Sequence, residues 1–84
     1  MKITYVASKF ETAEKTLEKM NAEKMPYTPT GLDYVLGECE CEDEEAWMRW
    51  YMESCSETMH REGFLYVYIF ENGQLRLPSI PLEG

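Results

Sequence analysis

Three cysteines and one histidine are the residues of this chain whose types suit metal binding. Cys39 and Cys41 stand two apart on a predicted strand, so both side chains point to the same face. Cys55 and His60 stand five apart on a predicted helix, which turns them about 140° away from each other. Ligands that share a helix face stand three or four apart, so we expect no bound metal and no cofactor. A small zinc-binding domain stays a third interpretation.

The sequence offers little that could catalyse a reaction. His60 is the single histidine, and the helix pattern places it on the solvated side. No Ser or Cys has an identifiable base nearby in sequence, and there is no glycine-rich phosphate loop. We therefore expect that the protein is not an enzyme.

A run of acids between residues 38 and 45 is the main chemical feature of the chain. It has six carboxylates in eight residues and no base: Glu38, Glu40, Glu42, Asp43, Glu44 and Glu45. Acids at a helix N-terminus are stabilised by the helix dipole, which explains the last four but not the two on the preceding strand. Together with Glu53 and Glu57 on the following helix, the run predicts a continuous negative ridge. A plain solvated acidic surface is the simpler alternative.

The charge balance points to a basic protein partner. Sixteen acids against eight bases give a net charge of −8, and residues 25–84 carry twelve acids against three arginines. Such a surface repels nucleic acid and anionic membranes and attracts basic surfaces, so we expect neither direct nucleic-acid binding nor membrane binding. The odd cysteine count and the absence of a signal-peptide pattern at the start predict a reducing, cytoplasmic setting.

The hydrophobic pattern predicts one α+β domain over residues 1–84, in the order β-α-β-α-β-β. A strand over residues 3–7 is followed by a capping box in which Ser8 caps a helix and Glu11 reaches back. A second strand begins at residue 32, with a bulge at Gly37, and Asp43 or its neighbours open a second helix that ends near Gly63. The expected architecture is a four-stranded sheet, mixed or antiparallel, with two helices packed on it.

The end of the chain predicts a hairpin and a tail. Residues 64–70 form the strongest strand, and Asn72 with Gly73 gives the signal of a type I′ turn into a short return strand. Residues 78–84 are expected to be a flexible C-terminal tail. The segment from Pro26 to Pro29 and the tail both match a polyproline ligand pattern, which is common by chance in loops.

The third strand raises the question of an open aromatic face. Phe64, Tyr66, Tyr68 and Phe70 point to one side of it. If both helices lie on the other side, this face is exposed, and Tyr66 and Tyr68 would form a homodimer surface. The alternatives are that the helices cover both faces or that the tail folds back over the open one.

The leading hypothesis is a protein-binding module that acts through its negative surface. In its sharpest form it is an inhibitor or modulator of a nucleic-acid-handling protein, of the anti-CRISPR or anti-restriction type, encoded by a phage or mobile element. The acids from Glu38 to Glu45, with Glu53 and Glu57, supply the charge, and Trp50 supplies an apolar anchor. Self-association through Tyr66 and Tyr68 is the second hypothesis.

Overall fold

The computed structural model describes residues 1–23 and 33–79. Its elements are β1 (Lys2–Ser8), α1 (Ala13–Glu23), β2 (Tyr34–Glu40), α2 (Glu44–Ser54), α3 (Ser56–Arg61), β3 (Tyr66–Glu71) and β4 (Gln74–Arg76). The α+β class and the order of strands and helices are therefore confirmed, although the predicted second helix is two helices. The segment from Pro26 to Pro29 and tail residues 80–84 lie outside the described residues.

The strands of the described residues form one antiparallel sheet in the order β2-β1-β3-β4. The pairing of β1 with β2 runs without interruption from Lys2 opposite Glu40 to Ser8 opposite Tyr34, so the bulge predicted at Gly37 does not form. The β3–β4 turn has positive φ angles at Asn72 and Gly73, as the predicted type I′ hairpin requires.

Helix α2 covers one face of the sheet. Because side chains alternate along a strand, Ile3 and Tyr5 of β1 point to this face together with Val67 and Ile69 of β3. The core cluster on this side consists of Ile3, Tyr5, Trp47, Met48, Tyr51, Val67 and Ile69. Trp47 and Tyr51 thus lie on the inner side of α2.

Helix α1 covers the opposite face. The buried hydroxyls of Ser8 on β1 and Thr16 on α1 lie 2.8 Å apart, and the Tyr68 hydroxyl donates to the Phe10 carbonyl at 2.8 Å. Tyr68 is only 1% exposed, and its burial raises its pKa to about 12. Of the alternatives for this face, the structure shows helices on both sides of the sheet, so Tyr68 is core and the open aromatic face does not form. Tyr66, at the start of β3, is 36% exposed.

The start of α1 differs from the predicted capping box. The Thr12 hydroxyl accepts from the Lys15 N–H at 3.2 Å, and the Thr12 carbonyl accepts from the Thr16 N–H. Ser8 is the last residue of β1, and its hydroxyl accepts from the Phe10 N–H. The Ser8 hydroxyl, which the local sequence predicts as a helix cap, thus takes part in the contact between β1 and α1.

The second helical segment begins and ends by local rules but is interrupted at Cys55. The Asp43 carboxylate caps α2 by accepting from the Ala46 N–H at 2.8 Å. At the other end Gly63 has φ +95°, and Phe64 N–H donates to the Met59 carbonyl, which is the Schellman arrangement. Cys55, with φ −120°, is both the C-cap of α2 and the N-cap of α3.

Gly37 makes room for the ring of Tyr5, which lies directly opposite it in the β1–β2 pairing. A Cβ atom at residue 37 would lie 2.5 Å from Cζ and Oη of Tyr5. The ring is enclosed by Trp47, Trp50 and Tyr51, whose centroids lie 5.5–6.0 Å from its own. The Tyr5 ring therefore cannot move away from a Cβ atom added at residue 37.

We predict that Gly37→Ala lowers the free energy of unfolding by about 1–3 kcal/mol, because the added methyl group overpacks a filled site. Urea denaturation followed by tryptophan fluorescence measures the loss. The Tyr5→Leu background is the control, since leucine lacks the distal ring atoms that clash. If Gly37→Ala costs the same in both backgrounds, the ring contact is not its cause.

Candidate functional site

The exposed acids group on the outer side of α2 and α3 and on the turn before them. Between residues 42 and 62 the exposed charged side chains are six acids and two arginines: Glu42, Asp43, Glu45, Glu53, Glu57, Glu62, Arg49 and Arg61. Two of these acids form exposed i,i+4 ion pairs, Glu45 with Arg49 at 3.3 Å and Glu57 with Arg61 at 3.5 Å. Glu42 and Glu53 have no ion-pair partner within the described residues. The surface keeps a net negative charge.

An apolar groove runs along this same side of α2. It has a volume of about 390 Å³ and is lined by Glu45, Met48, Arg49, Met52 and Glu53. Met48 is buried at its floor, and Met52 is 37% exposed. Residues 45, 49 and 53 form one stripe of the helix surface and the two methionines form the neighbouring stripe. Flexible methionine side chains adapt to different apolar partners, so the groove can accept an apolar side chain between charged rims.

The sequence predicted Trp50 as the apolar anchor, but Met52 is the exposed apolar residue on this side of α2. The Trp50 side chain is half-buried and packs against the core, with its ring 6.0 Å from that of Tyr5 in an edge-on arrangement. It is therefore not an exposed anchor. The signal that identifies Met52 is its i,i+4 spacing from Met48.

Glu44 belongs to the fold and not to the acidic surface. Its carboxylate accepts from Arg76 Nη2 at 2.8 Å and from the Ser79 N–H, and its side chain is 14% exposed. Arg76 Nε also lies 2.9 Å from Glu71 Oε1. Burial alone would raise the pKa of Glu44, but the bonds from Arg76 and Ser79 lower it overall. The interaction connects the start of α2 to β4 and to the first residues of the predicted tail.

Glu38 and Glu40 lie on the other side of the sheet from α2. They stand opposite Thr4 and Lys2 in the β1–β2 pairing, and both are exposed. Glu38 Oε2 lies 3.7 Å from the Lys2 ammonium. The predicted continuous ridge is therefore corrected: the acids of β2 and those of α2 face opposite sides of the sheet.

The three cysteines lie beside the aromatic core. Cys39 Sγ and Cys41 Sγ are 3.2 Å apart, and both side chains are half-buried. Burial raises the pKa of the Tyr5 phenol, and the neighbouring Cys55 raises it further. The exposed His60 lies on α3. Within the described residues, no group of three or more His, Cys, Asp or Glu side chains is arranged to hold a metal ion.

The chain matches no protein-family model, no curated protein and no solved structure. Among residues 1–23 and 33–79, none of the helices has the length and apolar character that crossing a membrane requires.

We predict that Glu44→Gln lowers stability at pH 7 by about 1–2 kcal/mol, because a partly buried charged hydrogen bond is weakened. The folded-state pKa of Glu44 lies below its ordinary value of 4.5. Its contribution is therefore complete above that value and lost as the pH falls through the folded-state pKa. Urea denaturation at several pH values should show the gap between wild type and Glu44→Gln closing in acid.

Glu45→Gln is the matched control, because Glu45 also faces an arginine but is 67% exposed. Its cost should stay below about 0.5 kcal/mol at every pH. Equal losses from the two variants would show that the contact between Glu44 and Arg76 is no stronger than a surface pair.

Proposed function

We propose that the chain is a non-enzymatic protein-binding module that docks the outer side of α2 and α3 onto a basic protein surface. The observation that carries the proposal is the groove over Met48 and Met52 within a surface of six acids and two arginines. The acids attract and orient a basic partner, while the methionines provide area that is removed from water on contact.

The partner class that fits this surface best is a protein that handles nucleic acid. Such proteins present grooves rich in Lys and Arg that bind phosphates through charge. An acidic helix seated in such a groove competes with the nucleic acid for the same cations. The proposal therefore includes an inhibitory role of the anti-CRISPR or anti-restriction type, in a cytoplasmic setting and with a phage or mobile element as the source.

Asp43 and Glu44 are unsuitable for a charge-reversal test of the acidic surface, because both have roles in the fold. Asp43 caps α2, and Glu44 holds Arg76, so reversal of either charge would damage the fold. Glu42 is exposed on the turn before α2, and the exposed Glu45 and Glu53 line the groove. These three acids test the surface without removing a cap or a buried ion pair.

We predict that Glu42→Lys, Glu45→Lys and Glu53→Lys together weaken partner binding about a hundredfold, if each contact contributes about 1 kcal/mol. The wild-type chain, immobilised, should capture a basic protein from a lysate of the source organism and release it in moderate salt. Titration of that purified protein measures the affinity, and addition of the chain should reduce its nucleic-acid binding.

The matched control reverses Glu11, Glu14 and Glu18, which are exposed at and before α1. Each reversal adds two charges, so both triple variants move the net charge from −8 to −2. Equal weakening by the two variants would indicate attraction by net charge alone. Retained nucleic-acid binding by the saturated partner would contradict the inhibitory role.

A further inference from the structure

Cys39 and Cys41 form a dithiol whose geometry is set by the sheet. Their sulfurs are 3.2 Å apart at the end of β2, and both side chains pack against the core under α2. Cys39 stands opposite Ile3 in the β1–β2 pairing, and the Cys41 N–H donates to the Met1 carbonyl at 2.9 Å. The backbone at the pair is thus held by Met1 and β1, and a ligand that needs both sulfurs finds them already together.

The distance between the sulfurs indicates what can join them with little movement of the thiol groups. A disulfide requires about 2.0 Å, so the two sulfurs would have to move more than an ångström closer. A tetrahedral zinc ion with bonds of about 2.3 Å holds its sulfurs about 3.8 Å apart. The observed 3.2 Å lies between these values. It suits a single bridging atom whose bonds to sulfur meet at a narrower angle than the tetrahedral one.

Trivalent arsenic is such an atom, since its pyramidal geometry holds two sulfurs at a narrower angle than zinc does. We propose that Cys39 and Cys41 are a binding site for trivalent arsenicals, with one As–S bond to each cysteine. Cys55 lies beside Tyr5 and is not required for this two-sulfur site. The site is independent of the acidic surface on the outer side of α2.

The proton balance favours this ligand over a metal cation. Cys39 and Cys41 are free thiols, and one of them donates its S–H proton to the sulfur of the other across 3.2 Å. A metal cation would have to displace that proton to obtain a thiolate. An arsenic hydroxide instead condenses with the thiol: the As–O and S–H bonds break, an As–S bond forms, and water leaves. Arsenic stays trivalent, and the product adds no charge to a half-buried site.

The test uses phenylarsine oxide and the folded full chain in the presence of excess glutathione, which removes adducts held by one sulfur. We predict one phenylarsenic group per chain, replacing two protons in the native mass spectrum. The melting temperature should rise by several degrees, because the folded state presents the sulfurs together. Cys39→Ser and Cys41→Ser should each weaken binding about a hundredfold or more, since the second bond is then lost.

Cys55→Ser is the matched control and should bind and melt like the wild type. Loss of the adduct in this variant would place the site elsewhere and overturn the assignment. A lower melting temperature of the wild-type adduct would overturn it as well, because it would show that the reagent traps an unfolded chain.

Discussion

The structure depends on the ring of Tyr5 lying across β2 at the one position of that strand that has no side chain. Gly37 is directly opposite Tyr5 in the register, so the ring occupies the space where a Cβ atom would stand. There it meets Trp47, Trp50 and Tyr51, all of which come from α2. Edge-on and tilted contacts among aromatic rings add to the burial of apolar area. This cluster determines which side of α2 faces the sheet.

Once the inner side of α2 is determined, its outer side follows from the helical period. Residues 45, 49 and 53 must face solvent when Trp47 and Tyr51 face the sheet. The contact between Glu44 and Arg76 holds the beginning of the same helix against β4. The groove over Met48 and Met52 is therefore presented by a helix that is anchored along its inner side and at its first turn. A partner would meet a surface that is already arranged for binding.

The parts of the fold that sequence could predict are those governed by local backbone rules. The hairpin at Asn72 and Gly73 needs positive φ angles, and Gly63 ends a helix for the same reason. The features that sequence missed depend on contacts between distant segments. Ser8 forms a local capping pattern, but its hydroxyl is engaged by Thr16 of the helix packed on its strand. Helices of this length cover either face of a sheet equally well, so their placement on both faces also required the structure.

The side chains of residues 38–41 point alternately to the two faces of the sheet and so belong to two different surfaces. Composition alone treats residues 38–45 as a single acidic run, but residues 38–41 lie on a strand or just after it, where successive side chains point to opposite faces. Glu38 and Glu40 therefore face the α1 side, while Cys39 and Cys41 face the core under α2. The same alternation that divides the predicted ridge also brings the two sulfurs together. The number of charges predicts neither the division of the acids nor the pairing of the sulfurs. Both depend on the two-residue period of a strand and not on composition.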